Sequence, residues 1–129
     1  MTTTSTITVR VPEGVLRTFA EAAFRRVGVA ADDTRNAADT FIEAGLRGID
    51  SQGISRLDRC YLQELESGQV SRTPAWQVLQ EAPTTARIDV DGDLGMSVEV
   101  HAMDLALRKA GEVGTGFVTV GNNWPFGAA

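Results

Sequence analysis

Ser51, Gln52 and Arg56 fall within six residues, in the stretch Gly48-Ile49-Asp50-Ser51-Gln52-Gly53-Ile54-Ser55-Arg56-Leu57. A polar loop of this kind, opening a helix, collects unpaired backbone N–H groups and a partial positive charge, and so suits an anion. Arg56 adds a planar fork of donors that fits a carboxylate in bidentate fashion. Together they describe a cradle for a small organic acid. The competing reading is a capped helix carrying a surface arginine. A second polar loop, Gly121-Asn122-Asn123-Trp124, offers an amide at Asn122 and an indole at Trp124 that can stack on a planar ligand. An interface anchor is the alternative reading for that tryptophan, as it is for Trp76.

The other chemistry-bearing residues are scattered. His101 is the one histidine of the chain. It lies inside a helical pattern far from both loops and reads as structural or exposed. Cys60 sits near Arg56 and Arg59, which favours a thiolate, but no histidine adjoins it, and packing is the competing role. Asp89, Asp91 and Asp93 alternate like the opening of a calcium loop. The later ligands are out of place, so a turn is expected. Gly114-Thr115-Gly116 lacks the strand–GxGxxG–helix order of a dinucleotide fingerprint.

The positioning elements follow from periodicity. Ile7, Val9 and Val11 alternate with polar residues, which predicts a short strand ending at Pro12. Val15, Leu16, Phe19, Ala22, Ala23 and Val27 recur at helical spacing from Glu13 to Gly28. A second helix is expected from Asp32 or Asp33 to Gly48, with Ala37, Ala38, Phe41, Ile42 and Gly45 inward. A third is expected from Gly53 to Ser67, with Ile54, Leu57, Tyr61 and Leu65 on one face. Beyond Gly68 the pattern changes. Trp76–Glu81 and Ala86–Val90 read as strands around a Pro83-Thr84 turn, Asp91-Gly92-Asp93 as a turn, and Met96–Val113 as a helix buried on two sides. Phe117–Val120 reads as a short strand. The expected fold is α/β (α+β) and not of Rossmann type. Residues 1–68 form a strand and a three-helix subdomain, and residues 69–129 begin a mixed sheet with one long helix.

Composition narrows the partners. A formal net charge of −5 disfavours nucleic acid and anionic membranes, which need clustered Lys and Arg. No apolar run approaches the length that spans a bilayer. The single cysteine forms no intrachain disulfide, so a reducing, cytoplasmic setting is expected. A sheet of three strands with an apolar helix leaves open edges. A C-terminal continuation, a second chain or a homodimer partner is therefore expected to complete it.

The segment Ala44-Gly45-Leu46-Arg47-Gly48-Ile49-Asp50-Ser51-Gln52-Gly53-Ile54-Ser55-Arg56-Leu57 resembles the signature of the type-2 malate/L-lactate dehydrogenase family, which includes ureidoglycolate, sulfolactate and piperideine-2-carboxylate oxidoreductases. The resemblance continues through Tyr61, Glu66-Ser67-Gly68, Ala82–Asp89, Lys109–Gly114 and Gly121–Ala129. It implies the N-terminal third of a longer enzyme that moves hydride between NAD or NADP and a small 2-hydroxy, 2-keto or 2-imino acid. Most of the cofactor site would then lie outside this chain. By the same resemblance Arg56 grips the substrate carboxylate, with Ser51, Gln52, Asn122 and Trp124 around it. The family pattern has histidines where this chain has Gln52 and Pro125, and an aromatic residue where it has Cys60. Glutamine hydrogen-bonds but takes no proton at neutral pH. A base would come from Asp50, Asp58, Tyr61, water or another chain. The alternatives are the same scaffold turned to a non-redox reaction in specialised metabolism, and a catalytically dead partner subunit.

Overall fold

A computed structural model describes residues 9–73 and 75–124. Two helices open the described chain, α1 (Glu13–Arg26) and α2 (Ala31–Leu46). Each carries an apolar stripe at helical spacing, and the stripes face one another. Phe24 and Phe41 stack at 6.0 Å, and Tyr61 meets the Phe41 ring edge-on at 5.1 Å. All three rings are buried, a burial that contributes roughly 1.5–3 kcal/mol for each phenylalanine. Asp32 and Asp33 occupy the first turn of α2, where a carboxylate suits the helix dipole, but the helix begins a residue earlier, with no side-chain cap.

Two expectations need correction in this half. Val9–Val11 are exposed and pair with no strand among the described residues; Ile7 and Thr8 lie outside them. Alternation alone does not make a strand without a ladder partner. The third helix is not continuous either. Residues 50–67 run through two 3₁₀ turns (Asp50–Gln52 and Ile54–Arg56), a π turn (Leu57–Leu62) and a short α3 (Gln63–Ser67). Gly53, with ψ −159°, breaks the helical path. The wider π turn lets Leu57, Tyr61 and Leu65 all remain buried in the helical core.

The sheet follows: β1 (Gln77–Glu81), β2 (Thr85–Asp89) and β3 (Phe117–Gly121), in the order β1-β2-β3. β1 pairs antiparallel to β2 across a tight turn, with a bulge between Val78 and Gln80. β2 pairs parallel to β3, from Thr85↔Phe117 to Asp89↔Gly121. A parallel pair needs a long crossover, which α4 (Gly95–Val113) supplies. Gly116 is where that crossover packs tightest. A Cβ there would stand 2.0 Å from the Ala106 carbonyl oxygen, so only glycine lets the chain pass under α4 into β3. Buried Lys109 ties α4 to the hairpin, its Nζ donating to Glu81 Oε1 at 2.7 Å and to the Ala82 carbonyl at 2.9 Å.

Two apolar cores form among the described residues. Leu94 and Met96, at the start of α4, belong to the helical core, whereas Val98 and Ala102 pack on Ile88 and Val90 of the sheet. One helix thus fastens the helical part to the sheet. Its other face is open: Val100, Met103 and Leu107 are exposed, beside an exposed Phe117 on β3. Of the two covered sides expected for this helix, the described chain provides one.

Candidate functional site

The loop that opens the site starts at Gly48. α2 ends by closing Ile49 N–H onto the Ala44 carbonyl at 2.8 Å, which requires Gly48 to sit at φ +74°, a conformation glycine adopts without strain. The two 3₁₀ turns follow. Ser51 is exposed, Gln52 and Arg56 are half-buried, and Ser55 Oγ donates to the Asp50 carbonyl at 3.0 Å. Arg56 Nη1 donates to Gln52 Oε1 at 2.6 Å, joining two of the residues singled out by sequence. One turn further on, the Cys60 thiol lies against the guanidinium and, with Tyr61, holds its pKa above the ordinary arginine value. The π turn and the residue before it divide in this way: Leu57 and Tyr61 are buried in the core, while Arg56 and Cys60 stay nearer the surface. Turns of this kind are frequent at functional sites.

Tyr61 adds an oddity beneath them. Its ring is 1% exposed, yet the hydroxyl has no hydrogen-bond partner among the described residues. Burial pushes its pKa up, and the Arg56 charge opposes that shift.

The second loop is positioned by the parallel register. Because Asp89 stands opposite Gly121, Asn122 arrives beside Asp89, and its Nδ2 donates to Asp89 Oδ1 at 3.3 Å. Asn122 itself takes φ +59°, in the left-handed region that asparagine tolerates better than most residues. Its carbonyl accepts from Gly92 N–H at 2.8 Å. Trp124 N–H donates to the Asp93 carbonyl at 3.0 Å, and its indole packs on the helical core that also contains Tyr61 and Leu57. The loop thus brings Trp124 to the helical core but ties Asn122 to the sheet. Pro125 to Ala129 lie outside the described residues.

A further polar cluster was not singled out from sequence. Ala30, Asp33, Arg72, Thr73, Trp76, Asp93 and His101 line a cleft of about 290 Å³ where α2, α4 and the β1 approach meet. His101 stacks on Trp76 with ring centres 5.8 Å apart, and its Nε2 lies 3.9 Å from Asp33 Oδ1. Asp93 is 4% exposed, with Oδ1 accepting Leu94 N–H at 2.6 Å. Burial, helped by the nearby Asp33 carboxylate, raises its pKa to about 7 against the opposing Leu94 hydrogen bond. In sequence this aspartate reads as part of a turn, and nothing in its spacing marks it as buried. No group of three or more metal-ligating side chains occurs among the described residues.

Comparison with known proteins gives one answer throughout. A family model described as malate/L-lactate dehydrogenase matches residues 11–129. The malate dehydrogenase of Pyrococcus horikoshii is 37% identical over 121 residues, covering 94% of this chain and 33% of the relative. Its solved structure superposes with a TM-score of 0.91, covering 34% of that chain. The L-sulfolactate dehydrogenase of Methanocaldococcus jannaschii is 39% identical over 105 residues, covering 81% of this chain and 30% of the relative. The sulfolactate dehydrogenase structure from that organism gives a TM-score of 0.87 over 91% of this chain and 34% of the other. The chain spans about a third of the length of the curated relatives it matches.

Proposed function

The chain belongs to the malate/L-lactate dehydrogenase family, and we propose that it is the acid-binding N-terminal part of an NAD(P)-dependent oxidoreductase acting on a small 2-hydroxy, 2-keto or 2-imino acid. The observation that carries this reading is the Arg56–Gln52 pair, which joins two 3₁₀ turns just ahead of a π turn, within residues matched by the family model. In it, Arg56 holds the substrate carboxylate and Gln52 holds Arg56. Ser51, Asn122 and Trp124 border the same region by resemblance. Tyr61 supplies a buried phenol near the arginine whose hydroxyl meets no partner among the described residues. The malate, sulfolactate and hydroxycarboxylate substrates named for the relatives all carry the carboxylate that such a fork would hold.

The glycine-containing turn before β3 does not fit a cofactor's phosphates, because Gly116 is pressed on the Ala106 carbonyl. The cofactor contacts are assigned to polypeptide beyond the described residues. The open face of α4 and Phe117 is where such polypeptide, as a continuation, a second chain or a homodimer partner, would pack.

A specific observation keeps a second reading in view. The one histidine lies on α4 against Asp33 and Trp76, and the side chain paired with Arg56 is a glutamine, which does not titrate. A scaffold that binds an acid without transferring hydride has this appearance. Fluorescence titration with NADH and NADPH separates the two. The oxidoreductase reading expects saturable binding of one of them by the complete assembly; turnover of an acid with no nicotinamide bound or required would establish the other.

A further inference from the structure

We infer that the cleft between α2, α4 and the approach to β1 binds a guanidinium group, held at its edge by Asp33 and Asp93 and on its face by Trp76. This does not rest on the acid-binding reading of Arg56. The cleft has a volume of about 290 Å³, at the small end of ligand pockets, which suits a group the size of one side chain. Asp93 forms part of its wall and is 4% exposed. One carboxyl oxygen, Oδ1, accepts Leu94 N–H at 2.6 Å, and Oδ2 has no hydrogen-bond partner among the described residues. Asp33, on the first turn of α2, lines the same cleft. Its charge is near enough to help raise the Asp93 pKa.

The charge in the cleft is unbalanced. Arg72 lines it from the segment before β1, but its Nε and Nη2 donate to the Leu65 carbonyl at 2.9 and 2.8 Å, and Nη2 to the Glu66 carbonyl at 3.3 Å. Among the described residues no lysine or arginine pairs with Asp33 or Asp93; Asp33 meets only His101 Nε2 of α4, at 3.9 Å. Two carboxylates that share a cleft in this way repel, and a cation between them relieves the repulsion. The aromatic wall decides which cation. Trp76 and His101 stack with ring centres 5.8 Å apart, and the indole remains exposed. Stacking occupies one face of the indole. A planar guanidinium stacks on the other while its edge N–H groups meet carboxylate oxygens, whereas an ammonium is a point charge with no plane to stack.

Titration of methylguanidinium chloride into the isotope-labelled protein as purified, against sodium chloride at equal ionic strength, tests this by NMR. The Trp76 indole N–H and the His101 ring signals should shift and saturate. Methylammonium should bind several-fold more weakly. Asp93→Asn keeps an oxygen for Leu94 N–H but loses the charge, and it should weaken methylguanidinium binding by about tenfold. The cation favours ionised Asp93, whose pKa is raised to about 7, so wild-type affinity should rise from pH 6 to pH 8. It should rise less in Asp93→Asn, where Asp33 and His101 are the titratable groups left in the cleft beside Arg72. Equal affinity in wild type and Asp93→Asn overturns the assignment, as do shifts that never saturate or that spare Trp76. Methylammonium bound as tightly as methylguanidinium overturns the choice of a planar cation. An arginine side chain of another polypeptide carries the same group as a free guanidinium compound, and the blocked peptide acetyl-Gly-Arg-Gly-amide separates the two. Tighter binding of the peptide than of methylguanidinium assigns the cleft to a polypeptide arginine, and its exclusion assigns the cleft to a free cation.

Discussion

Replacing Asp93 by asparagine should stabilise this protein, and only above acidic pH. The carboxyl is 4% exposed, and its pKa is raised from an ordinary 3.8 to about 7. Below pH 3.8 both folded and unfolded chains hold the proton and burial costs little. Between 3.8 and 7 the unfolded chain releases the proton while the folded chain keeps it, so stability falls as pH rises. Above 7 the folded chain must carry a buried anion and the penalty is complete. At about 1.4 kcal/mol per pH unit the full penalty reaches about 4 kcal/mol, and relaxation and water access reduce it to roughly 2–4 kcal/mol. Asparagine keeps an oxygen for Leu94 N–H, now 2.6 Å away, and cannot ionise. The Asp33 carboxylate adds to the penalty on the Asp93 anion and is already contained in the raised pKa, whereas the titrations of the cleft groups Asp33, His101 and Arg72 themselves occur in both proteins. Glu99, whose pKa burial also raises, likewise titrates in both. Urea unfolding of wild type and Asp93→Asn from pH 4 to pH 8.5 reads the effect. The stability difference should be small at pH 4 and grow to roughly 2–4 kcal/mol in favour of asparagine at pH 8. A difference that stays flat across that range, or that favours aspartate at pH 8, refutes the reasoning.

Two other substitutions probe the fold beneath the site. Tyr61→Phe removes a buried hydroxyl that has no partner among the described residues. It should leave thermal stability unchanged or raise it by about 1 kcal/mol, and a loss of more than that on a melting curve means the hydroxyl is bonded after all. Gly116→Ala forces a Cβ to within 2.0 Å of the Ala106 carbonyl. It should cost about 3 kcal/mol or more, seen as a lowered urea midpoint, because neither backbone segment can move without displacing α4 or β3.

Much of this architecture is legible in the sequence because apolar spacing and glycine stops fall together. α1, α2 and α4 start within a residue or two of where their patterns begin, and β1 to β3 occupy the alternating stretches after Gly68. The stretch from Asp50 to Leu62 is not legible in that way. Its apolar residues keep helical spacing, but Gly53 and the packing of Tyr61 on Phe41 resolve it into 3₁₀ and π turns. Those depend on a surface supplied by α2, which no local pattern reports. The open face of α4 agrees with the expectation that further polypeptide completes this part: apolar content says that a surface is meant to be covered, not that the same stretch of chain covers it. At the site, the Arg56–Gln52 bond follows from a four-residue spacing and could be anticipated. The Asn122–Asp89 bond depends on the parallel register of β2 and β3, and Asp93 becomes unusual only once Leu94 and Met96 are drawn into the helical core.

The central claim is that the guanidinium of residue 56 receives an organic carboxylate. Isothermal titration of pyruvate into the complete assembly, carrying either the wild-type chain or Arg56→Ala and with saturating NADH present, tests it most directly. Loss of a charge-assisted bidentate contact should weaken binding by about a hundredfold in the variant. Equal affinity in the two proteins would contradict the account.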